Sequence, residues 1–168
     1  ARAFFSENLA DAVTVSPYMG YDTVGPFLQY EGKWAVVLAL TSNPSAADFE
    51  LQRMEDGGYL YEKVIDTACG WGTTDNLMFV VGATQAKMLR GIRRLIPNHF
   101  LLVPGVGAQG GSLEEVARYG MNGRCGLLVN SSRGIIYADS TERFAEAAAE
   151  KSAELAAEMA GLLDSYLK

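Results

Sequence analysis

Five short apolar runs punctuate this chain: Asp11 to Ser16, Trp34 to Leu40, Leu77 to Ala83, His99 to Pro104 and Cys125 to Asn130. They are rich in Val, Leu and Phe and do not alternate with polar residues, which is how strands read when both faces of a sheet are covered. Helical signals lie between them. Asp22 can cap Thr23 to Glu31, Ser45 can cap Ala46 to Met54, and Thr84 can cap Gln85 to Leu95, which Pro97 closes. Ser112 with Glu115 makes a capping box, and Thr141 to Lys168 sets Phe144, Ala148, Leu155, Met159, Leu162 and Tyr166 near one side of a long helix. Strand followed by helix, five times over, predicts an α/β chain with right-handed crossovers and a parallel sheet.

Five such units form either a complete open sheet or the larger part of a (β/α)8 TIM barrel. A whole barrel takes about 250 residues, and the chain has 168. The opening Ala1 to Leu9 reads as the inside of a helix with no strand before it. The expectation is therefore about the last five strand–helix units of a single barrel domain over residues 1–168, with some three units missing.

Composition narrows the function. A formal net charge of -6 disfavours a nucleic-acid binder, since phosphate backbones need a basic face. No apolar run reaches the roughly 20 residues of a membrane span, and no secretory signal opens the chain, so a cytoplasmic location is expected. Cys69 and Cys125 are far apart and lack metal-ligand spacing, which reads as two thiols in a reducing compartment. An anionic small ligand would have to be held by local donors.

Such donors concentrate in two places. Phe100 to Val103 runs into Pro104-Gly105-Val106-Gly107-Ala108-Gln109-Gly110-Gly111, with a helix start at Ser112; the next strand ends in Asn130-Ser131-Ser132-Arg133-Gly134. Glycines allow close backbone approach and turned N–H groups, and a helix start adds its dipole. Gly105, Gly107, Gly110 and Gly111 fit a phosphate grip, Gln109 offers an amide, and Arg133 offers a fork for phosphate oxygens. In barrels phosphate often sits in the loops after strands seven and eight. The same letters satisfy the dinucleotide fingerprint G-x-G-x-x-G, but that motif expects an acid about 20 residues on, and here the next strand ends in Asn130. A glycine-rich turn without a ligand is the plainest alternative.

Elsewhere, Thr41-Ser42-Asn43-Pro44-Ser45 puts hydroxyls and an amide at the same strand end, where a capping turn alone would also account for them. His99 precedes a strand on the side away from the loops and reads as structural. Trp34 and Trp71 read as core or interface residues. No nucleophile-plus-base constellation stands out.

These motifs resemble the orotidine 5'-phosphate decarboxylase family in its longer bacterial form. Pro104 to Gly111 is similar to that family's phosphate-gripping loop, and Asn130-Ser131-Ser132-Arg133-Gly134-Ile135 to the end of its last strand. Ala10 to Gly20 and Thr41-Ser42-Asn43-Pro44 resemble its middle strands. The resemblance covers essentially the whole chain. It implies a barrel that dimerises, with active sites near the subunit interface, converting orotidine monophosphate to uridine monophosphate in pyrimidine synthesis without metal or organic cofactor. By motif, Gln109 would hold the phosphate and reach the pyrimidine, Arg133 with the backbone of Ser132 would bind phosphate, Ser42 would bond the pyrimidine ring, and Pro104 would line the base pocket.

One departure matters. The family's chemistry rests on a Lys-Asp-Lys-Asp array built around Asp-x-Lys-x-x-Asp, in which a lysine protonates the ring carbon as carbon dioxide leaves. That motif does not occur in these 168 residues, and Lys33, Lys63, Lys87, Lys151 and Lys168 fall in helices, turns or the terminus. The expectation is a carboxyl-terminal portion with no catalytic residue in the chain, inactive by itself and aggregation-prone through its open sheet edges. A related sugar-phosphate decarboxylase and a non-catalytic phosphate-binding module are the alternatives.

Overall fold

The computed structural model describes residues 1–7, 9–107 and 110–167. A short helix α1 (Arg2–Phe5) precedes strand β1 (Ala12–Val15), helix α2 (Tyr21–Leu28) and β2 (Trp34–Leu40). A 3-10 turn (Pro44–Asp48) leads to α3 (Leu60–Cys69), β3 (Leu77–Val81), a second 3-10 turn (Ala83–Gln85) and α4 (Ala86–Leu95). The chain continues through β4 (Leu101–Pro104), α5 (Leu113–Gly120), β5 (Leu127–Asn130), the one-turn α6 (Arg133–Ile136) and α7 (Phe144–Tyr166). All five strands are parallel and stand in chain order, β1-β2-β3-β4-β5.

That order, with the placement of the helices, separates a barrel from a doubly wound sheet. The main core joins Ala35, Val37, Leu77, Phe79, Val81, Leu101 and Val103 of the strands to Val24, Ile65, Leu89, Ile92 and Val116 of α2 to α5. Leu155, Met159 and Leu162 of α7 pack on the same cluster. The alternate strand residues Val36, Met78 and Val80 form a second cluster with Trp34, Leu38, Phe100 and Leu102, which no helix joins. Helices thus cover one face only, and the strand order never reverses. A dinucleotide-binding sheet has helices on both faces and a switch point; a barrel winds in one direction. The helix-free face is the side a closed barrel turns inward, and at its β5 end Leu128 is 52% exposed.

Three sequence expectations need correction. The helix from Ala46 to Met54 is absent: only the 3-10 turn forms, and an antiparallel bridge between Arg53 and Tyr59 draws the following segment into a loop. The helix of this unit is α3, whose start is held by Glu62 Oε2 accepting from the Tyr59 N–H at 2.8 Å. A tyrosine at the cap position gives no conventional start signal. Asp22 lies within α2 and not at its cap, which is Gly20 at φ 82°. Thr84 caps nothing; its hydroxyl donates to the Ser42 carbonyl at 3.5 Å, while α4 begins at Ala86. Ser112 does cap α5, its Oγ accepting from Glu115 N at 3.2 Å. In α7, Leu155, Met159 and Leu162 reach the core as expected, whereas Phe144 and Tyr166 are exposed.

At the amino edge of the sheet, Arg93 ties several chain turns together. Its guanidinium donates to the carbonyls of Gly120 (2.5 Å), Ile96 (3.3 Å), His99 (2.6 Å) and Gly126 (2.7 Å). Burial pushes its pKa down to about 10. His99 stands beside it, edge-on to Phe79, with Nε2 buried and unpaired among the described residues. Burial, then the Arg93 charge, holds the imidazole below its ordinary pKa. The structural reading of His99 fits this place. Trp34 packs on the inner-face cluster and Trp71 on the main core. Cys69 and Cys125 are both half-buried free thiols, and burial pushes the Cys69 thiol up. Among the described residues no helix is long and apolar enough to cross a membrane.

Candidate functional site at the carboxyl edge

Parallel strands place the loops that follow them at one edge, and the described residues of the segments after β2, β4 and β5 lie there. The tip of β2 is the tightest part. Beyond Leu40, whose carbonyl accepts from Gly82 N at 2.8 Å, the half-buried Ser42 crosses the end of β3 and brings its Oγ 3.3 Å from the Pro104 carbonyl of β4. The crossing depends on Gly82. A Cβ there would stand 2.0 Å from Ser42 Oγ and 2.6 Å from Ser42 N. No rotamer of Ser42 removes a clash with its own backbone, so glycine is required.

The glycine loop leaves β4 directly beside this point. Gly105, Gly107 and Gly110 take φ values of 93°, 75° and 85°, a region that side chains disfavour. Gly111 packs where a Cβ would lie 2.4 Å from Ala83 Cβ and 2.8 Å from the Gly105 carbonyl. The loop closes on itself: Gly107 N donates to Gly111 O (3.0 Å), Gly110 N to Gly107 O (2.8 Å) and Gly111 N to Gly105 O (3.3 Å). Three of the four glycine amides expected to face a ligand, those of Gly107, Gly110 and Gly111, are thus used within the loop. Those three N–H groups shape the loop. Gln109, expected to grip phosphate, lies outside the described residues, as does Ala108.

The second donor group stands next to the first. Pro104 pairs in register with Asn130, so the glycine loop and the β5 turn leave the edge side by side, and Ser131 Oγ lies 3.5 Å from the Val106 carbonyl. Ser132 caps α6 and Arg133 is its first residue. Both are exposed. The first N–H groups of a helix have no intrahelical partner, which makes the amides of Arg133 and Gly134, with the exposed Arg133 side chain, candidate donors at this turn.

Of the five residues singled out from sequence, the structure joins Ser42 to Pro104 by a direct contact and sets Ser132 and Arg133 one loop away. Sequence reading missed Gly82, hidden at the end of a uniformly buried strand, and Glu50, which holds the residue before Ser42. None of Lys33, Lys63, Lys87 and Lys151 stands at the carboxyl end of a strand, and Lys63 lines a small cleft with Pro17, Tyr18 and Gly20 of the loop after β1. Lys33 precedes β2 and pairs with Asp11 at 2.9 Å, and the others lie on α3, α4 and α7; Lys168 is outside the described residues.

A parallel sheet in chain order with its helices on one side has the winding of a (β/α) barrel. Within that class, the profile of the Orotidine 5'-phosphate decarboxylase / HUMPS family matches residues 1–148, and the chain belongs to that family. It is 56% identical over 167 residues to the orotidine 5'-phosphate decarboxylase of Bacteroides fragilis, covering 99% of this chain and 61% of that protein. With the orotidine 5'-phosphate decarboxylase of Porphyromonas gingivalis it shares 62% identity over 149 residues, 89% of this chain and 54% of that one. The solved structure of Leishmania donovani OMP decarboxylase superposes with a TM-score of 0.73 at 38% identity, covering 89% of this chain and 56% of that chain. The five strand–helix units are thus part of a (β/α)8 barrel, and the chain spans about 60% of the length of the curated relatives it matches.

Proposed function

We propose that residues 1–168 are the carboxyl-terminal portion of an orotidine 5'-phosphate decarboxylase and supply its nucleotide-binding edge. The carrying observation is the adjacency of two groups: Ser42 against Pro104, and the glycine loop against the Arg133 turn. In this reading Arg133, the backbone at Ser132 and Gln109 hold the phosphate dianion. A bidentate guanidinium contact and amide donors suit its oxygens. Ser42, with its hydroxyl proton directed at the Pro104 carbonyl, offers its lone pairs to the ring N–H of a pyrimidine. Pro104 lines the base pocket.

The chemistry then divides along the chain. Residues here bind and orient; the proton reaching the ring carbon comes from a Lys-Asp array outside this sequence, since Asp-x-Lys-x-x-Asp is absent and no described lysine ends a strand. Binding energy gathered at the phosphate serves to order the site around the reacting carbon. No metal or organic cofactor has a role in this reading. The chain alone is inactive, and the protein works in the cytoplasm. A homodimer is favoured by exposed apolar side chains near this edge: Tyr18 (85% exposed), Met19 (75%) and Phe49 (63%), the rings of Tyr18 and Phe49 lying 6.3 Å apart.

The test is made on a version with the full length of the relatives. It should decarboxylate orotidine monophosphate, followed by the change in ultraviolet absorbance, and bind uridine monophosphate in preference to ribose 5-phosphate. Equal affinity for the two would favour a sugar-phosphate enzyme. Turnover by residues 1–168 alone would overturn the division of labour.

A further inference from the structure

Beyond Leu40 the β2 tip is no longer held by the sheet, and the contacts that fix it there are unequal. Among the described residues the bonds of Ser42 are long, 3.3 Å from its Oγ to the Pro104 carbonyl and 3.5 Å to its own carbonyl from Thr84 Oγ1. Thr41, one residue earlier, is held by Glu50. One carboxylate oxygen accepts from the Thr41 N–H at 2.7 Å, and the other lies 2.9 Å from Thr41 Oγ1. Thr41 Oγ1 is also 2.6 Å from Asn43 Oδ1, and its single hydrogen is donated either there or to the Glu50 carboxylate, so the N–H bond is the constant part of the grip. Charge-assisted bonds of this length are the strong ones.

Glu50 is itself rigidly placed. Its carbonyl accepts from Tyr61 N at 3.0 Å, at the start of α3, and the next residue, Leu51, donates to Ala46 O at 3.2 Å. Leu60 N donates to Gln52 O at 2.9 Å, closing the loop behind it. The carboxylate forms part of the wall of a cavity of about 490 Å³ shared with Ser16, Tyr18, Leu38 and Tyr61. A loop of some twenty residues therefore ends in one carboxylate aimed at the backbone next to Ser42.

We infer that Glu50 is a positioning residue, which sets Ser42 for the pyrimidine through the Thr41 backbone. This rests on the reading of Ser42 as the pyrimidine contact. Glutamine keeps an acceptor for the Thr41 N–H and alanine keeps none, while ribose 5-phosphate, which lacks the base, has no use for Ser42.

The experiment compares affinities for uridine monophosphate and ribose 5-phosphate in the full-length protein, with Glu50→Ala, Glu50→Gln, Ser42→Ala and the Glu50→Ala/Ser42→Ala pair. Glu50→Ala should weaken uridine monophosphate about tenfold, with ribose 5-phosphate unchanged, and Glu50→Gln should stay within about threefold of the parent. In the Ser42→Ala background, Glu50→Ala should add less than about twofold, because coupled residues are not additive. Equal weakening of both ligands, or the same loss in both backgrounds, overturns the inference while leaving Ser42 in place. If Ser42→Ala leaves the preference for uridine monophosphate untouched, the role of Ser42 fails and the positioning role with it.

Discussion

Ser42, just past β2, and Pro104, at the end of β4, lie 62 residues apart in sequence with β3 between their strands, yet the serine Oγ comes within 3.3 Å of the proline carbonyl. The contact exists because β3 ends in Gly82, whose missing side chain leaves the gap that Ser42 crosses. Three strand tips are thus locked into one surface, which the proposed function assigns to the base.

Gly82→Ala should break that surface. Its Cβ meets Ser42 backbone as well as Oγ, so the β2 tip must shift. We expect a loss of about 1–3 kcal/mol in stability from overpacking and about a hundredfold in kcat/KM from the displaced serine. Denaturant unfolding and steady-state kinetics on the full-length protein check the two separately. Unchanged kinetics would detach Ser42 from the site.

Arg133→Ala should remove the charged part of the phosphate grip. The cost in kcat/KM is expected at about 3 kcal/mol, the scale of a charged hydrogen-bonded contact. Phosphite dianion added with a substrate lacking phosphate should partly restore the rate in the parent protein. An unaffected catalytic efficiency in Arg133→Ala would reject the assignment.

At the opposite edge, Arg93→Met keeps the aliphatic stem but withdraws the donors from four carbonyls. The Gly126 carbonyl keeps the Leu101 N–H, and taking the donor from those of Ile96, His99 and Gly120 should cost about 2–3 kcal/mol, read as a lower denaturant midpoint. Affinity for uridine monophosphate in the folded variant should not change, because the clamp sits away from the loops. A midpoint equal to the parent's would show that water replaces the guanidinium.

His99 gives the stability a pH dependence of fixed sign. Its pKa in the folded protein is held below the ordinary 6.5, so the unfolded chain takes up the proton first. The contribution is complete above about pH 6.5 and declines as the pH falls below that value. Unfolding midpoints at pH 7.5 and 5.5 should differ, and the difference should shrink in His99→Gln. An unchanged difference would place the sensitivity in other groups.

Much of this molecule is legible from its residues, and the gaps have physical causes. All five strands are legible as short apolar runs; β2 and β3 (Trp34–Leu40 and Leu77–Val81) are the ones deeply buried along their length, whereas β1 and β5 alternate half-buried with exposed residues. Helix α3 escaped because Tyr59 caps it through its backbone and Glu62, while Ser45 advertised a helix that the Arg53–Tyr59 bridge forbids. The loop glycines were recognised, but whether their amides face a ligand or one another depends on the φ values of the folded loop. Glu50 carried no signal, since its partner Thr41 is nine residues away at no helical or strand spacing.

A crystal structure of the full-length protein with uridine monophosphate tests the account most directly. The phosphate should lie within hydrogen-bond distance of the Arg133 guanidinium and the first amides of α6, with the pyrimidine against Ser42 and Pro104. A nucleotide bound elsewhere, or one whose phosphate leaves Arg133 untouched, would contradict it.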